Sequence, residues 1–171
     1  MRFLTVSGSL RASSSNTALL EAAGAVVPAG IALERYTGLG DLPHFNPDID
    51  DEGVSEHVRE WRRRLTAADA VIFSTPEYAH GVPGVLKNAL DWVVGSGELV
   101  GKPVALFHAS SRGVFAQASL KETLTVMSAN VVAEVTVDLW GTKLGAGEIA
   151  GEVAMAGVLR AGLEALAGAV A

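Results

Sequence analysis

Short runs of β-branched and aromatic residues alternate with helix-period segments along this chain, and few architectures accept that pattern. Arg2–Val6 (R-F-L-T-V) reads as a buried strand that stops at Ser7–Gly8. Asn16–Val27 reads as a helix closed by Pro28 and Gly30, and Ile31–Tyr36 as a strand with Ile31, Leu33 and Arg35 alternating against Ala32, Glu34 and Tyr36. Ala70–Thr75, Val104–His108 and Val131–Val137 supply three further strands. Helices are predicted over Val54–Leu65, Pro83–Val94, Val114–Met127 and Ile149–Val170. In the first of these, Val54, Val58, Trp61 and Leu65 share one face. Thr37–Asp51, rich in Gly, Pro, Asp and Asn, is a long loop of the kind that often carries function.

Five β-α units in succession imply an α/β fold, a mostly parallel sheet with helices on both faces. Right-handed crossovers leave few topologies, and five strands suit the doubly wound order 2-1-3-4-5. In such sheets a ligand sits beyond the carboxyl ends of the strands, where the order reverses between strands one and three. The turns after strands one, three and four are therefore the place to look. A length of 171 residues fits one domain, 1–171, with no repeat or low-complexity segment.

Charge and composition narrow the function classes. A net charge of −6 lacks the basic footprint of a general nucleic-acid binder. Backbone N–H groups can still bind an anion locally. There is no cysteine, so thiolate metal sites, disulfides and a cysteine nucleophile are excluded, and a reducing compartment is expected. No secretory signal is read at Met1–Val6, and no uncharged apolar stretch reaches the roughly 18 residues of a membrane span. A cytoplasmic location is the expectation.

The turn after strand one, Gly8-Ser9-Leu10-Arg11-Ala12-Ser13-Ser14-Ser15-Asn16-Thr17, combines small residues, hydroxyls, a guanidinium and a helix start. A phosphate wants that combination: amides and the helix dipole favour the dianion, hydroxyls donate to it, and arginine adds a charge-assisted pair. The turn has neither G-x-G-x-x-G nor G-K-[ST], so a dinucleotide pyrophosphate or a nucleoside triphosphate fits less well. Taken alone, Ser13–Asn16 read equally well as N-cap candidates. After strand three, Thr75-Pro76-Glu77-Tyr78-Ala79-His80-Gly81-Val82-Pro83-Gly84 is stiffened by two prolines and two glycines. Such a turn can read the edge of a planar heterocycle, with Tyr78 on or beside the ring or else covering core. After strand four, Ala109-Ser110-Ser111-Arg112-Gly113 is a small polar turn that either meets the same heterocycle or merely caps a helix.

Together these turns resemble the NADPH-dependent FMN reductase family, which includes quinone-, azo-dye- and chromate-reducing members. Gly8–Asn16 is similar to its G-S-L-R-x-x-S-x-N motif. Pro76–Trp92, P-E-Y-A-H-G-V-P-G-V-L-K-N-A-L-D-W, resembles P-E-Y-N-x-[SG]-x-P-G-x-L-K-N-A-[IL]-D-W, and this long match is the specific one. Gly101–Val104 and Ser110–Gly113 also fit, and the resemblance runs over about residues 2 to 140. It implies a flavodoxin-like fold and an FMN cofactor. Ser9, Arg11, Ser14, Ser15, Asn16 and Thr17 would hold the phosphate. Pro76, Glu77, Tyr78 and Ala79 would hold the ring, mainly through backbone, and Ser110, Ser111 and Gly113 would meet its other edge. Ala79 departs from the family's asparagine.

The implied activity is hydride transfer from NADPH or NADH through bound FMN to flavin, quinone or a similar small acceptor. The flavin carries the chemistry, so no catalytic side chain is nominated. The rival is a flavodoxin-like electron carrier without turnover of its own. A homodimer or homotetramer is the family's habit, and Lys87, Asn88, Asp91 and Trp92 either contribute to such a contact or pack the core. His44, His57, His80 and His108 have no metal-ligand spacing. Arg59, Arg62, Arg63 and Arg64 read as a solvated helix face, with Arg62 or Arg63 as the alternative oligomer contact. Asp48, Asp50, Asp51 and Glu52 read as an exposed acidic loop without EF-hand spacing.

Overall fold

The computed structural model describes residues 1–50 and 53–170. Its strands are β1 (Arg2–Ser7), β2 (Ala32–Tyr36), β3 (Ala70–Ser74), β4 (Pro103–His108) and β5 (Asn130–Thr136). They form one parallel sheet in the order β2-β1-β3-β4-β5. The helices are α1 (Ser15–Ala25), α2 (Glu56–Ala67), α3 (Gly84–Val94), α4 (Val114–Val126), α5 (Ala146–Gly151) and α6 (Val153–Gly168). This is the doubly wound, flavodoxin-like arrangement expected from the alternation.

The sheet divides the interior into two apolar layers. Every residue of β3 is buried, with Val71 and Phe73 facing one layer and Ala70 and Ile72 the other. The first layer is completed by Trp61 and Leu65 of α2, Leu86 and Leu90 of α3, and Leu120 and Leu124 of α4. The second is completed by Leu19 and Leu20 of α1, Ile149 of α5, and Leu159, Leu163 and Leu166 of α6. Each such fully buried side chain contributes roughly 1.5–3 kcal/mol of hydrophobic stabilisation. Helix α6 lies close to the sheet: a Cβ on Gly162 would stand 2.5 Å from Val135 Cγ2 and 3.1 Å from the Phe107 ring.

Three details differ from the sequence reading. The expected final helix, Ile149–Val170, is two helices that begin earlier, at Ala146, and break at Glu152. Glu152 is extended (φ −84°, ψ 121°), and its carboxylate accepts from Met155 N–H, so it caps α6 instead of continuing α5. Val54 lies before α2: Ser55 is the N-cap, accepting from Val58 N–H, and Val54 packs in the core from outside the helix. Arg62 is no solvated residue. It donates to Trp92 C=O and to Asp50, tying α2 to the end of α3.

The loop after β2 contains two short 3-10 turns, Gly38–Asp41 and Pro47–Ile49. It is pinned to α3. Pro43 C=O accepts from Asn88 Nδ2 (2.9 Å) and from Trp92 Nε1 (2.7 Å), and Asn88 Oδ1 accepts from Phe45 N–H (2.8 Å). Phe45 packs edge-on against the Trp92 ring. The K-N-A-L-D-W stretch therefore serves as a loop anchor, with Lys87 and Asp91 paired on its outer face. Of the acidic cluster, Asp51 and Glu52 lie outside the described residues. No group of three or more metal-ligating side chains occurs among the described residues. None of the described helices is long and apolar enough to cross a membrane.

Candidate active site

The carboxyl ends of β1 and β3 are drawn together by backbone contacts. Gly8 N–H donates to Ser74 C=O (2.8 Å), and Tyr78 and Gly81 exchange both N–H···O bonds across a two-residue hairpin. Gly8 cannot carry a side chain, because a Cβ there would stand 2.5 Å from Thr75 Oγ1. The close approach of the first and third turns therefore requires the glycine that opens the G-S-L-R run.

In the first turn Ser14 is the N-cap of α1, with Oγ accepting from Thr17 N–H (3.3 Å). This settles the register of the serine run. Asn16 is buried and accepts from Ser74 Oγ (2.9 Å), latching α1 to β3. Thr17 Oγ1 donates to Ser7 Oγ (2.9 Å), so its hydroxyl is spent within the turn. Helix starts leave N–H groups without helical acceptors, and Ser15 and Asn16, which carry two of them, line the cavity above. The first turn of α1 contains no acidic residue.

That cavity, about 490 Å³, is within the roughly 300–1,000 Å³ range of small-molecule sites. Of the residues expected there, Ser9, Arg11, Ser14, Ser15, Asn16, Pro76, Glu77, Tyr78, Ser110 and Gly113 line it. Thr17, Ala79 and Ser111 do not. Ala79 is at the hairpin tip, and Ser111 Oγ donates to Asp138 (2.7 Å). Glu77 lines the wall, but its carboxylate accepts from Phe115 N–H (2.8 Å) and Ala116 N–H (2.9 Å), capping α4. His80 stacks on Phe115 with ring centroids 4.1 Å apart, so the third turn is held to α4 twice. Tyr78 is exposed rather than part of the core.

A fourth wall escaped the sequence reading. Leu139, Trp140, Gly141 and Thr142, in the loop after β5, line the same cavity. Trp140 is exposed, with the Arg112 guanidinium 4.7 Å from its ring centroid. Asp138 is exposed beside it, its carboxyl held below the ordinary range first by Ser111 Oγ–H and then by Trp140 N–H. The signal was available: this loop leaves the same end of the sheet as the other three turns. Thr75, Ser13, Ala109 and Gln117 were also missed. Gln117 Nε2 donates to Ser110 C=O (2.8 Å) and shapes that turn. His108, under the turn, is buried at the end of β4. Burial pushes its pKa down, partly opposed by Glu134 at 3.7 Å, and its Nε2 has no hydrogen-bond partner.

The model of the NADPH-dependent FMN reductase family matches residues 1–141, the stretch that holds all four walls up to Gly141. The chain belongs to this family. An NAD(P)H-dependent FMN reductase of Pseudomonas aeruginosa is 39% identical to this reductase over 133 residues, 74% of this chain and 71% of that protein. A quinone reductase of Escherichia coli K12 is 33% identical over 139 residues, 77% of this chain and 73% of that one. Among solved structures, FerB, a flavoenzyme NAD(P)H:(acceptor) oxidoreductase from Paracoccus denitrificans, superposes with a TM-score of 0.76 at 26% identity. That superposition covers 98% of this chain and 97% of FerB.

The donor set of the reductase suits FMN at both ends. A phosphate dianion needs uncompensated donors, and the Arg11 guanidinium makes no ion pair among the described residues. Around it stand the exposed hydroxyls of Ser13 and Ser15 and the half-buried one of Ser9. The ring end is bounded by Pro76–Tyr78 and Ser110–Gly113, with the Glu77 carboxylate turned onto the amides of Phe115 and Ala116.

Proposed function

We propose that this protein is an NAD(P)H-dependent, FMN-containing reductase that passes electrons to flavin, quinone or similar small acceptors. The observation that carries this reading is the convergence of an unpaired arginine and a helix start on one end of a cavity whose other end is a stiff hairpin. FMN, when bound, would supply the redox chemistry that links the nicotinamide donor to the acceptor. Ser9, Arg11, Ser14, Ser15 and Asn16 would hold the phosphate, with Thr17 supporting through Ser7 and Ser14. Pro76, Glu77 and Tyr78 would bound the ring on one edge, with Ala79 shaping the hairpin. Ser110 and Gly113 would meet the other edge, Ser111 steadying it through Asp138. The exposed Tyr78 and Trp140 leave apolar surface at the mouth where a planar substrate can stack.

The test is anaerobic mixing of purified protein, FMN and a nicotinamide nucleotide. Bleaching of the visible flavin band, followed by recovery on adding a quinone, is expected. Bound flavin that stays oxidised would favour the electron carrier. Steady-state kinetics are expected to be ping-pong, since both substrates use the space over the ring. We further propose a cytoplasmic homodimer or homotetramer. The lack of cysteine suits that compartment, and exposed Val94, Val100 and Val126 offer apolar contact surface. Sedimentation measures the assembly.

A further inference from the structure

Two connections meet at the mouth of the cavity. Arg112, after β4, holds its guanidinium carbon 4.7 Å from the ring centroid of Trp140, after β5. Trp140 is 61% exposed, yet its backbone is tied down. Its N–H donates to Asp138 Oδ1 (3.1 Å), and Leu139 N–H donates to Ala109 C=O (3.0 Å). Thr142 N–H and Oγ1 both donate to Leu139 C=O. The turn so closed has Gly141 in the left-handed region (φ 75°), at the position that type II turns fill with glycine. The indole is an aromatic platform set in solvent by a tight turn.

Arg112 supplies the charge beside it. Among the described residues its side chain makes no hydrogen bond and no ion pair; only its backbone N–H is used, on Ser110 Oγ. The oxygens of neighbouring Asp138 are taken by Ser111 Oγ–H and Trp140 N–H. A guanidinium laid on an indole gives up its face and keeps its edge, where a fork of N–H donors is left for two oxygens of one anion. The FMN phosphate is not that anion. The reading above gives it to the first turn, and β3 separates β1 from β4. The turns bearing Arg11 and Arg112 therefore leave the sheet about 10 Å apart, two strand spacings. Arg112 and Trp140 are both exposed, so they meet what enters from solvent.

Resting on the reductase reading above, we infer that Arg112 is a specificity-determining residue for the electron acceptor, selecting planar acceptors with a carboxylate or sulfonate on the ring over neutral ones of the same shape. The acceptor ring packs against the exposed Tyr78 and Trp140, and its anionic group takes the free edge of the guanidinium. Cation and platform are 4.7 Å apart. A compact acceptor carries anion and ring at that spacing, whereas in the nicotinamide donor a ribose separates the two.

The test compares a naphthoquinone sulfonate with the neutral methylnaphthoquinone, in FMN-loaded wild type and Arg112→Gln, with the nicotinamide donor at saturation. The ratio of kcat/KM for the two quinones, compared between proteins, cancels their different intrinsic reactivity. It is expected to fall about fivefold in Arg112→Gln, the upper worth of an exposed ion pair, and to be partly restored in Arg112→Lys, which keeps the charge without the fork. An unchanged ratio overturns the role. Binding gives a second readout that needs no turnover. By calorimetry on the oxidised, FMN-loaded protein, naphthalene sulfonate should bind more tightly than naphthalene methanol by about the same factor, and Arg112→Gln should abolish the difference. Equal affinity in the wild type overturns the role as well. So does a loss confined to flavin bleaching by the nucleotide, which places Arg112 on the donor's phosphates. A lower midpoint potential of bound FMN in Arg112→Gln, with both quinones slowed alike, places it on the flavin and overturns it too. Bound flavin that neither nucleotide bleaches removes the reductase reading, while the calorimetric preference still stands or falls with Arg112.

Discussion

Ala79 and His80 both hold left-handed backbone, at φ 50° and 59°, in the two-residue turn between Tyr78 and Gly81. Hairpins of this kind favour asparagine and glycine at their central positions, because a Cβ in that region costs roughly 1–2 kcal/mol. His80 is held by its stack on Phe115, whereas no such contact holds Ala79. The asparagine that the family carries at this position would suit the left-handed backbone of the turn tip. Ala79→Asn should raise stability by about 0.5–1 kcal/mol, read as a higher urea midpoint. Arg11→Ala should weaken FMN binding by roughly 1.5–3 kcal/mol in a fluorescence titration, the worth of a charge-assisted contact. His108 gives a pH effect. Its folded pKa is depressed by burial, while the unfolded chain titrates near ~6.5. Above that value neither state is protonated and the contribution is fully present. As pH falls through it, the unfolded state takes up a proton that the folded state refuses, and stability is lost. His108→Leu should therefore show a smaller fall in urea midpoint between about pH 7.5 and about pH 5.5 than the wild type.

Helices and strands were legible because each carries its own period. The buried runs of β1, β3 and β4 and the single apolar face of α2 announce themselves, and with the handedness rule the alternation of strands and helices points to the order of the sheet. The break at Glu152 was not legible, since Gly151-Glu152-Val153 has a composition a helix tolerates and a carboxylate turned back onto Met155 N–H decides the matter. Glu77 is a similar case: the P-E-Y motif marks it as a ring residue, yet its partners belong to α4, far along the chain. Asn88 and Trp92 sit in the most specific stretch of the sequence and spend their polar atoms on Pro43 and Phe45. Asn88→Ala should leave Phe45 N–H and Pro43 C=O short of a partner. Each lost bond is worth about 1 kcal/mol, so amide exchange at Phe45 should accelerate roughly fivefold or more while the exchange of β3 stays unchanged.

For the whole molecule, the site is a meeting of four connections on one scaffold. Loops at one end of a parallel sheet can be exchanged without disturbing the two apolar layers beneath, which is why fold alone does not name the electron acceptor. The convergence also couples cofactor to stability. FMN at about a hundred times its Kd should stabilise the protein by roughly 2.7 kcal/mol and raise Tm by about 5–10 °C at this size. A melt unchanged by FMN would contradict a site preformed in the folded chain.

The pairing of β1 with β3 joins Phe3 to Ala70 and Ser7 to Ser74, while the last wall of the cavity waits for Leu139–Thr142. On the ribosome the chain emerges at roughly 5–20 residues per second, so the Gly8–Thr17 turn stands without its far wall for on the order of ten seconds. During that time the nascent chain offers free flavin a phosphate loop without the wall that completes the cavity. FMN is therefore a late guest of the finished chain, not a template for its synthesis, and its supply acts by holding the completed fold rather than by starting it.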